Sequence, residues 1–119
     1  MSIQPSAAPS VSVGIATCGR PELLRAAVRA ALGQEYAGDI EVIVVYDRVV
    51  VDPLDDIVVR AGRRALRTMA NSRTPGLAGG RNTGILAARG ELTSFCDDDD
   101  EWLPTKLASV LRRKFVSEL

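Results

Sequence analysis

Apolar and polar positions along the chain change period several times, and each change marks an element. Val11 to Ala16, VSVGIA, is short and largely apolar and runs into the turn-forming Thr17-Cys18-Gly19-Arg20, the pattern of a first strand. From Pro21 the spacing lengthens. Leu24, Ala27, Val28, Ala31 and Leu32 form one helical stripe, with Arg25 and Arg29 lying off it. Pro21 suits a first helical position, where no amide donor is needed, and Gly33 ends the helix. Ile40 to Tyr46, IEVIVVY, is the strongest strand pattern, and its near-continuous apolar run suits a parallel strand covered on both faces.

The second half is less regular. Arg48 to Arg64 shows no clear period, and VVVDPLDDIVV fits either an irregular loop or a short helix beginning near Leu54. Ala65 to Ala70 predicts a third strand, and Asn71 to Gly80, with Pro75 and three glycines, a loop. Arg81 to Ala88 has helical composition, with Gly90 as a cap just past its end. Glu91 to Cys96 predicts a fourth strand, in which Leu92, Thr93 and Phe95 are the better strand formers. Pro104 then starts a helix with Leu107, Val110, Leu111 and Phe115 on its buried side.

Strands alternating with helices predict an α/β fold with an open, mostly parallel, doubly wound sheet. Right-handed crossovers lead to the strand order 3-2-1-4. In such a sheet ligands bind beyond the C-terminal strand ends, where the order reverses, here between strands one and four. Thr17 to Arg20, Asp47 and Asp97 to Asp100 all fall on that edge.

Composition narrows the picture only where it is uneven. A chain of 119 residues with 46% hydrophobic residues supports one core and not two. Residues 1–10, with Pro5 and Pro9 among small residues, form an expected flexible tail, and 11–119 the domain. Fifteen basic and fifteen acidic residues cancel, which gives no footing to nucleic acid or to an anionic membrane as a partner. No basic start followed by an apolar run suggests a leader, and no window approaches the roughly 20 apolar residues of a membrane span, so a cytoplasmic location is expected. Cys18 and Cys96 lack the spacing of a disulfide framework or a metal site and are expected to be two small buried thiols. There is no histidine, hence neither the commonest general base nor the commonest zinc ligand.

Asp97-Asp98-Asp99-Asp100 is the candidate site. Four like charges repel, so a fold that gathers them at a strand end calls for a cation. Carboxylates offer hard oxygen donors suited to Mg²⁺ or Mn²⁺, which in turn bridge phosphate oxygens. Strand alternation would put Asp97 and Asp99 on one side with Asp98 pointing elsewhere. An isolated acidic run is commonly a solvated turn; its position after a buried strand weighs the other way. Trp102 stands where an EF-hand loop needs glycine, which disfavours calcium. The glycines at 76, 79, 80 and 84 make neither GxGxxG nor a P-loop, which disfavours nicotinamide enzymes and P-loop ATPases. Arg81 is expected to open a helix whose N-terminus, approached closely because of Gly79 and Gly80, receives an anion.

VSVGIATCGRPELL, IEVIVVYD and GGRNTGILAARGELTSFCDDDDEWLPTKL resemble, in order and spacing, the nucleotide-binding half of family 2 glycosyltransferases with the GT-A fold. The resemblance covers about Val11 to Leu107. It implies that Thr17 and Arg20 line the nucleoside pocket, that Asp47 accepts a hydrogen bond from the base, and that Arg81 lies near the base or diphosphate. It further implies that Asp97 and Asp99 are the metal-binding outer pair of a DxD motif, with Asp98 contacting ribose or metal. The reaction implied is transfer of a sugar from a nucleoside-diphosphate sugar to an acceptor hydroxyl, with inversion. Tyr46 and Arg48 depart from the family's usual acidic-Asp-Gly-Ser strand ending, and Cys18-Gly19 from its aromatic and asparagine. Family members continue into a second half that carries further strands, the acceptor pocket and the base, so no catalytic residue is assigned. Strand four is accordingly expected to be an open edge, able to pair with a second copy, where those later strands would pair. Two alternatives are a catalytically silent nucleotide-sugar-binding module and a metal-dependent nucleotidyl- or phosphotransferase on a similar sheet.

Overall fold

The computed structural model describes residues 8–60 and 62–117, with side chains as far as Leu111. The elements run β1 (Val11–Thr17), α1 (Pro21–Leu32), β2 (Ile40–Tyr46), β3 (Arg64–Ala70), α2 (Leu77–Ala87), β4 (Leu92–Phe95) and α3 (Lys106–Ser117). All pairings are parallel and the sheet order is β3-β2-β1-β4, as the alternation of elements predicts.

The two central strands are buried along almost their whole length, which explains their unbroken apolar runs. One face carries Val11, Val13, Ile15, Val42, Val44 and Tyr46 against Leu24, Ala27, Val28 and Ala31 of α1, and Trp102 and Leu107 close the same core. The other face is made for close approach. A Cβ built on Gly80 would lie 3.0 Å from the Ala16 side chain, and one on Gly84 3.8 Å from Val45, so α2 lies low over β1 and β2. Gly14 leaves room for the Phe95 ring, its register partner on β4.

Several boundaries differ from expectation. α2 begins at Leu77, four residues before Arg81, because Gly76 (φ 110°) turns the chain into the helix and Gly80 N–H already bonds Gly76 O at 3.0 Å. Gly90 is not the helix cap, a position held by Ala88 in extended conformation. Gly90 is needed because Ser12 N would lie 2.7 Å from a Cβ there. The described residues between β2 and β3 form a loop with no helix. Arg25 fastens it through Asp52 (2.7 Å) and Asp56 (2.8 Å), while Leu54 and Ile57 plug the core. α3 starts at Lys106, two residues after Pro104, and of its expected buried positions Leu107 is buried, Leu111 half-buried and Val110 exposed. The Phe115 side chain lies outside the described residues. Residues 1–7 of the expected tail also lie outside them, whereas Ser10 bonds β4 through Leu92 N–H at 3.0 Å.

Arg64 shows why the basic run from Arg60 to Arg67 is no binding patch at its centre. Its five N–H donors reach the carbonyl oxygens of Leu32, Gln34, Tyr36, Gly38 and Arg63, capping the α1–β2 connection from within.

Candidate functional site

Parallel strands bring their C-terminal ends to one edge, and there the β1–α1 turn meets the aspartates that follow β4. The Cys96 amide continues the ladder to Gly14 O at 3.0 Å; the chain then turns, with Asp100 N–H on Asp97 O at 3.1 Å. This turn overrides the strand alternation expected of Asp97 and Asp99. Asp97 lies beside Arg81 on α2, at 3.6 Å, whereas Asp99 accepts a 2.7 Å hydrogen bond from Arg20, at the start of α1. The two carboxylates therefore face helices on opposite sides of the sheet. Asp98 is the inward member: Thr17 Oγ1 donates to it at 3.0 Å, and Arg20 stands 3.9 Å away.

Arg81 is aimed by its surroundings and does not open the helix. Its guanidinium sits 5.4 Å from the centroid of the Phe95 ring, and that ring sits where Gly14 has no side chain. A chain of contacts thus runs from a β1 glycine through a β4 aromatic to an α2 cation and on to Asp97. Such a cation–ring pair contributes on the order of 0.5–1 kcal/mol at an exposed position, enough to bias the side chain.

Asp47 ends β2 on the same edge, but its carboxylate is engaged within the chain. Asn71 Nδ2 donates to Oδ1 at 3.1 Å, and Gly76 N–H and Arg48 Nε donate to Oδ2 at 3.0 and 2.9 Å. The Asn71 bond leads the causes that hold its carboxyl below the usual range, with Gly76 and Arg48 adding to it against burial. Asn71 in turn accepts from Thr83 Oγ1 at 2.7 Å, tying the loop before α2 to the helix. Sequence reasoning missed Asn71, Gly76 and Thr83, although Asn71 directly follows a strand, as Asp47 does.

The two cysteines part company. Cys18 is exposed, because the β1–α1 turn projects from the edge, whereas Cys96 is buried and its thiol is pushed up to about 12, chiefly by loss of solvent. Only one of the expected buried thiols is buried. Among the described residues no three acidic, histidine or cysteine side chains converge as a ready-made metal cluster. None of their helices is long and apolar enough to cross a membrane.

A concavity of about 710 Å³ lies at the opposite end of the sheet, between Arg29, Tyr36, Val58, Arg60 and Arg63. Its chemistry is mostly consumed: Arg29 pairs with Asp56, Arg63 with Asp39, and the donors of Arg64 are all on carbonyls. The C-terminal edge has a smaller recess of about 60 Å³ beside Thr17, Arg20 and Tyr46, and the buried Tyr46 hydroxyl makes no hydrogen bond among the described residues. Charge and hydrogen-bonding capacity, more than volume, single out this edge as the candidate site.

Comparison with known proteins bears on the family and the fold. Residues 12–114 match the family model of glycosyl transferase family 2. The chain is 32% identical over 99 residues to the UDP-Glc:alpha-D-GlcNAc-diphosphoundecaprenol beta-1,3-glucosyltransferase WfaP of Escherichia coli, covering 83% of this chain and 39% of WfaP. It is 32% identical over 105 residues to the succinoglycan biosynthesis protein ExoO of Rhizobium meliloti, covering 88% of this chain and 30% of ExoO. Among solved structures, the mannosyltransferase PcManGT of Pyrobaculum calidifontis, in complex with GDP-Man and Mn²⁺, superposes with a TM-score of 0.70 at 25% identity, over 92% of this chain and 35% of that one. The chain thus spans less than two-fifths of each of these relatives. With the parallel 3-2-1-4 sheet and a match over nearly its whole length, the chain belongs to glycosyl transferase family 2.

Proposed function

We propose that this chain is the donor-binding part of a glycosyltransferase, holding a nucleoside-diphosphate sugar at the edge between β1 and β4 for transfer of the sugar to an acceptor hydroxyl. One observation carries the reading: the aspartate turn after β4 stands against Thr17 and Arg20 across the point where the strand order reverses. Two features of relatives support it. PcManGT was solved with GDP-Man and Mn²⁺, and WfaP is named for a UDP-linked donor.

The donor set fits Mn²⁺ or Mg²⁺. Asp97 and Asp99 present hard carboxylate oxygens with side chains 63% and 50% exposed, so both can turn to an ion. When bound, the ion supplies positive charge that neutralises the diphosphate leaving group without a proton donor. The chain's own residues do the rest. Thr17 and Arg20 line the nucleoside side, with Arg20 at its phosphate end; Asp98 is fixed by Thr17 so that its outer oxygen faces ribose or the ion, and Arg81 reaches the diphosphate. Asp47 shapes the base pocket by fastening the loop through Asn71 and Gly76, and it meets the base edge with its remaining lone-pair capacity.

A second reading, a catalytically silent nucleotide-sugar-binding module, shares every one of these residues. It is favoured by the carboxylates at this edge, since Asp47, Asp97, Asp98 and Asp99 all have internal partners and none stands out as a base. Titration calorimetry with UDP, GDP and TDP, with and without Mn²⁺, tests the site that both require. We expect manganese-dependent binding of one nucleotide and a loss of about tenfold or more in Asp99→Ala. No manganese-dependent binding, together with an inert Asp99→Ala, defeats both readings. Donor hydrolysis or transfer then separates the enzyme from the silent module.

A further inference from the structure

The aspartate turn already has cations. Arg20 lies 2.7 Å from Asp99 and 3.9 Å from Asp98, and Arg81 lies 3.6 Å from Asp97. The two guanidinium groups come from separate elements on opposite faces of the sheet, and together they carry the same charge as one divalent ion. Each pairs with a different carboxylate, Asp99 with Arg20 and Asp97 with Arg81, and no three of the described acidic side chains converge on a common point. An ion that draws Asp97 and Asp99 together must first break both pairs, and it must then sit beside two positive charges.

We propose that Arg20 and Arg81 are resident counter-cations that block the turn to a metal ion alone, and that a nucleoside diphosphate releases the block by drawing both guanidinium groups onto its phosphates. Metal and nucleotide then bind with positive cooperativity. This inference rests on the donor-site reading above but adds a property that reading does not require. The charges explain the direction. Without nucleotide, ion and arginines compete for the same carboxylates; with it, the diphosphate supplies enough negative charge for the ion and for both arginines. Planar guanidinium groups suit the exchange, because they pair with phosphate in the same forked geometry as with carboxylate. Both pairs are half-exposed, so each is weak enough to be broken by a ligand. By linkage, the factor by which nucleotide tightens metal binding equals the factor by which metal tightens nucleotide binding.

The test uses Mn²⁺ alone, followed through the electron paramagnetic resonance signal of the free ion, on the wild-type chain, Arg20→Met and Arg81→Met. Methionine keeps the apolar stem and, at position 81, the contact with Phe95. We expect Mn²⁺ alone to bind each variant about fivefold tighter than wild type at low ionic strength, because a unit positive charge next to a divalent ion has been removed. With UDP or GDP present, the wild type should gain about tenfold or more in Mn²⁺ affinity and the variants clearly less. Equal or weaker binding of Mn²⁺ alone by both variants overturns the proposal, even where nucleotide binding is intact. Nucleotide binding that does not change Mn²⁺ affinity overturns it as well. If Mn²⁺ alone binds the variants more tightly but no nucleotide binds any of the three proteins, the donor-site reading fails, and the coupling fails with it.

Discussion

Glu41 shows how much a single side chain organises away from the site. It sits at the start of β2, accepting from Ser12 Oγ (2.6 Å), from the Arg89 amide (2.6 Å) and from Arg67 (3.0 Å), and Ser12 Oγ accepts in turn from the Gly90 amide. The α2–β4 connection is thereby held to the central strands, which places the strand that carries the aspartates. Burial by itself would raise the Glu41 carboxyl, but the Ser12, Arg89 and Arg67 interactions outweigh it and hold the group below its ordinary value of 4.5. A depressed folded-state value means that this stabilisation is complete above pH 4.5 and is lost as the pH falls through the folded value. Glu41→Gln should therefore cost about 2 kcal/mol at neutral pH. Chemical denaturation across the acid range should show that deficit shrinking below pH 4.5. A deficit that stays constant into acid would show that the charge is not what matters.

At the scale of elements, α2 is the one whose sequence is least like a conventional helix. Five of its eleven residues are glycine or alanine, and its four buried residues are Gly79, Gly80, Thr83 and Gly84. A Cβ on Gly79 would lie 1.6 Å from Thr74 O, where the loop that Asp47 fastens crosses the helix. A Cβ on Gly84 meets only Val45 Cγ2, at 3.8 Å. These glycines therefore differ in kind. Gly84→Ala should stabilise the chain by about 0.5–1 kcal/mol through helix propensity alone. Gly79→Ala should destabilise it by about 1–3 kcal/mol, because the loop must be displaced. Thermal unfolding of both variants checks the contrast, and equal responses would contradict the packing described for α2. The early start of α2 has the same origin: Gly76 and the Asp47 bond to its amide begin the helix where composition predicts a loop.

For the whole molecule the consequential feature is the β4 edge. Among the described residues β4 pairs only with β1, and Ile85 and Leu86 on the neighbouring α2 are 47% and 64% exposed. The amides of Leu92 and Cys96 point to β1, at 3.0 Å from Ser10 O and Gly14 O, so by alternation that of Thr93 points to the open side. We expect the chain to self-associate as its concentration rises, through an added strand at this edge. Thr93→Pro should abolish that association in sedimentation velocity while sparing the ladder to β1. A monomer at every concentration, with a high melting temperature independent of concentration, would count against the idea. The edge and the site are neighbours, since β4 delivers the aspartate turn directly.

Local pattern was enough to determine the alternation of elements, the parallel sheet and its order. Apolar periodicity states which residues must be covered, and right-handed crossovers leave one arrangement that covers them. It was also enough to bring Thr17, Arg20, Asp47 and the aspartates to one edge, because parallel strands deliver their ends together. Tertiary structure alone decided which partner each of those residues takes. The turn after Cys96 cancels strand alternation and sends Asp97 and Asp99 to different arginines. Asn71 and Gly76, distant in sequence, claim Asp47. Periodicity reports whether a side chain faces in or out; the partner of a half-exposed charge depends on which other chain segments arrive at the same place.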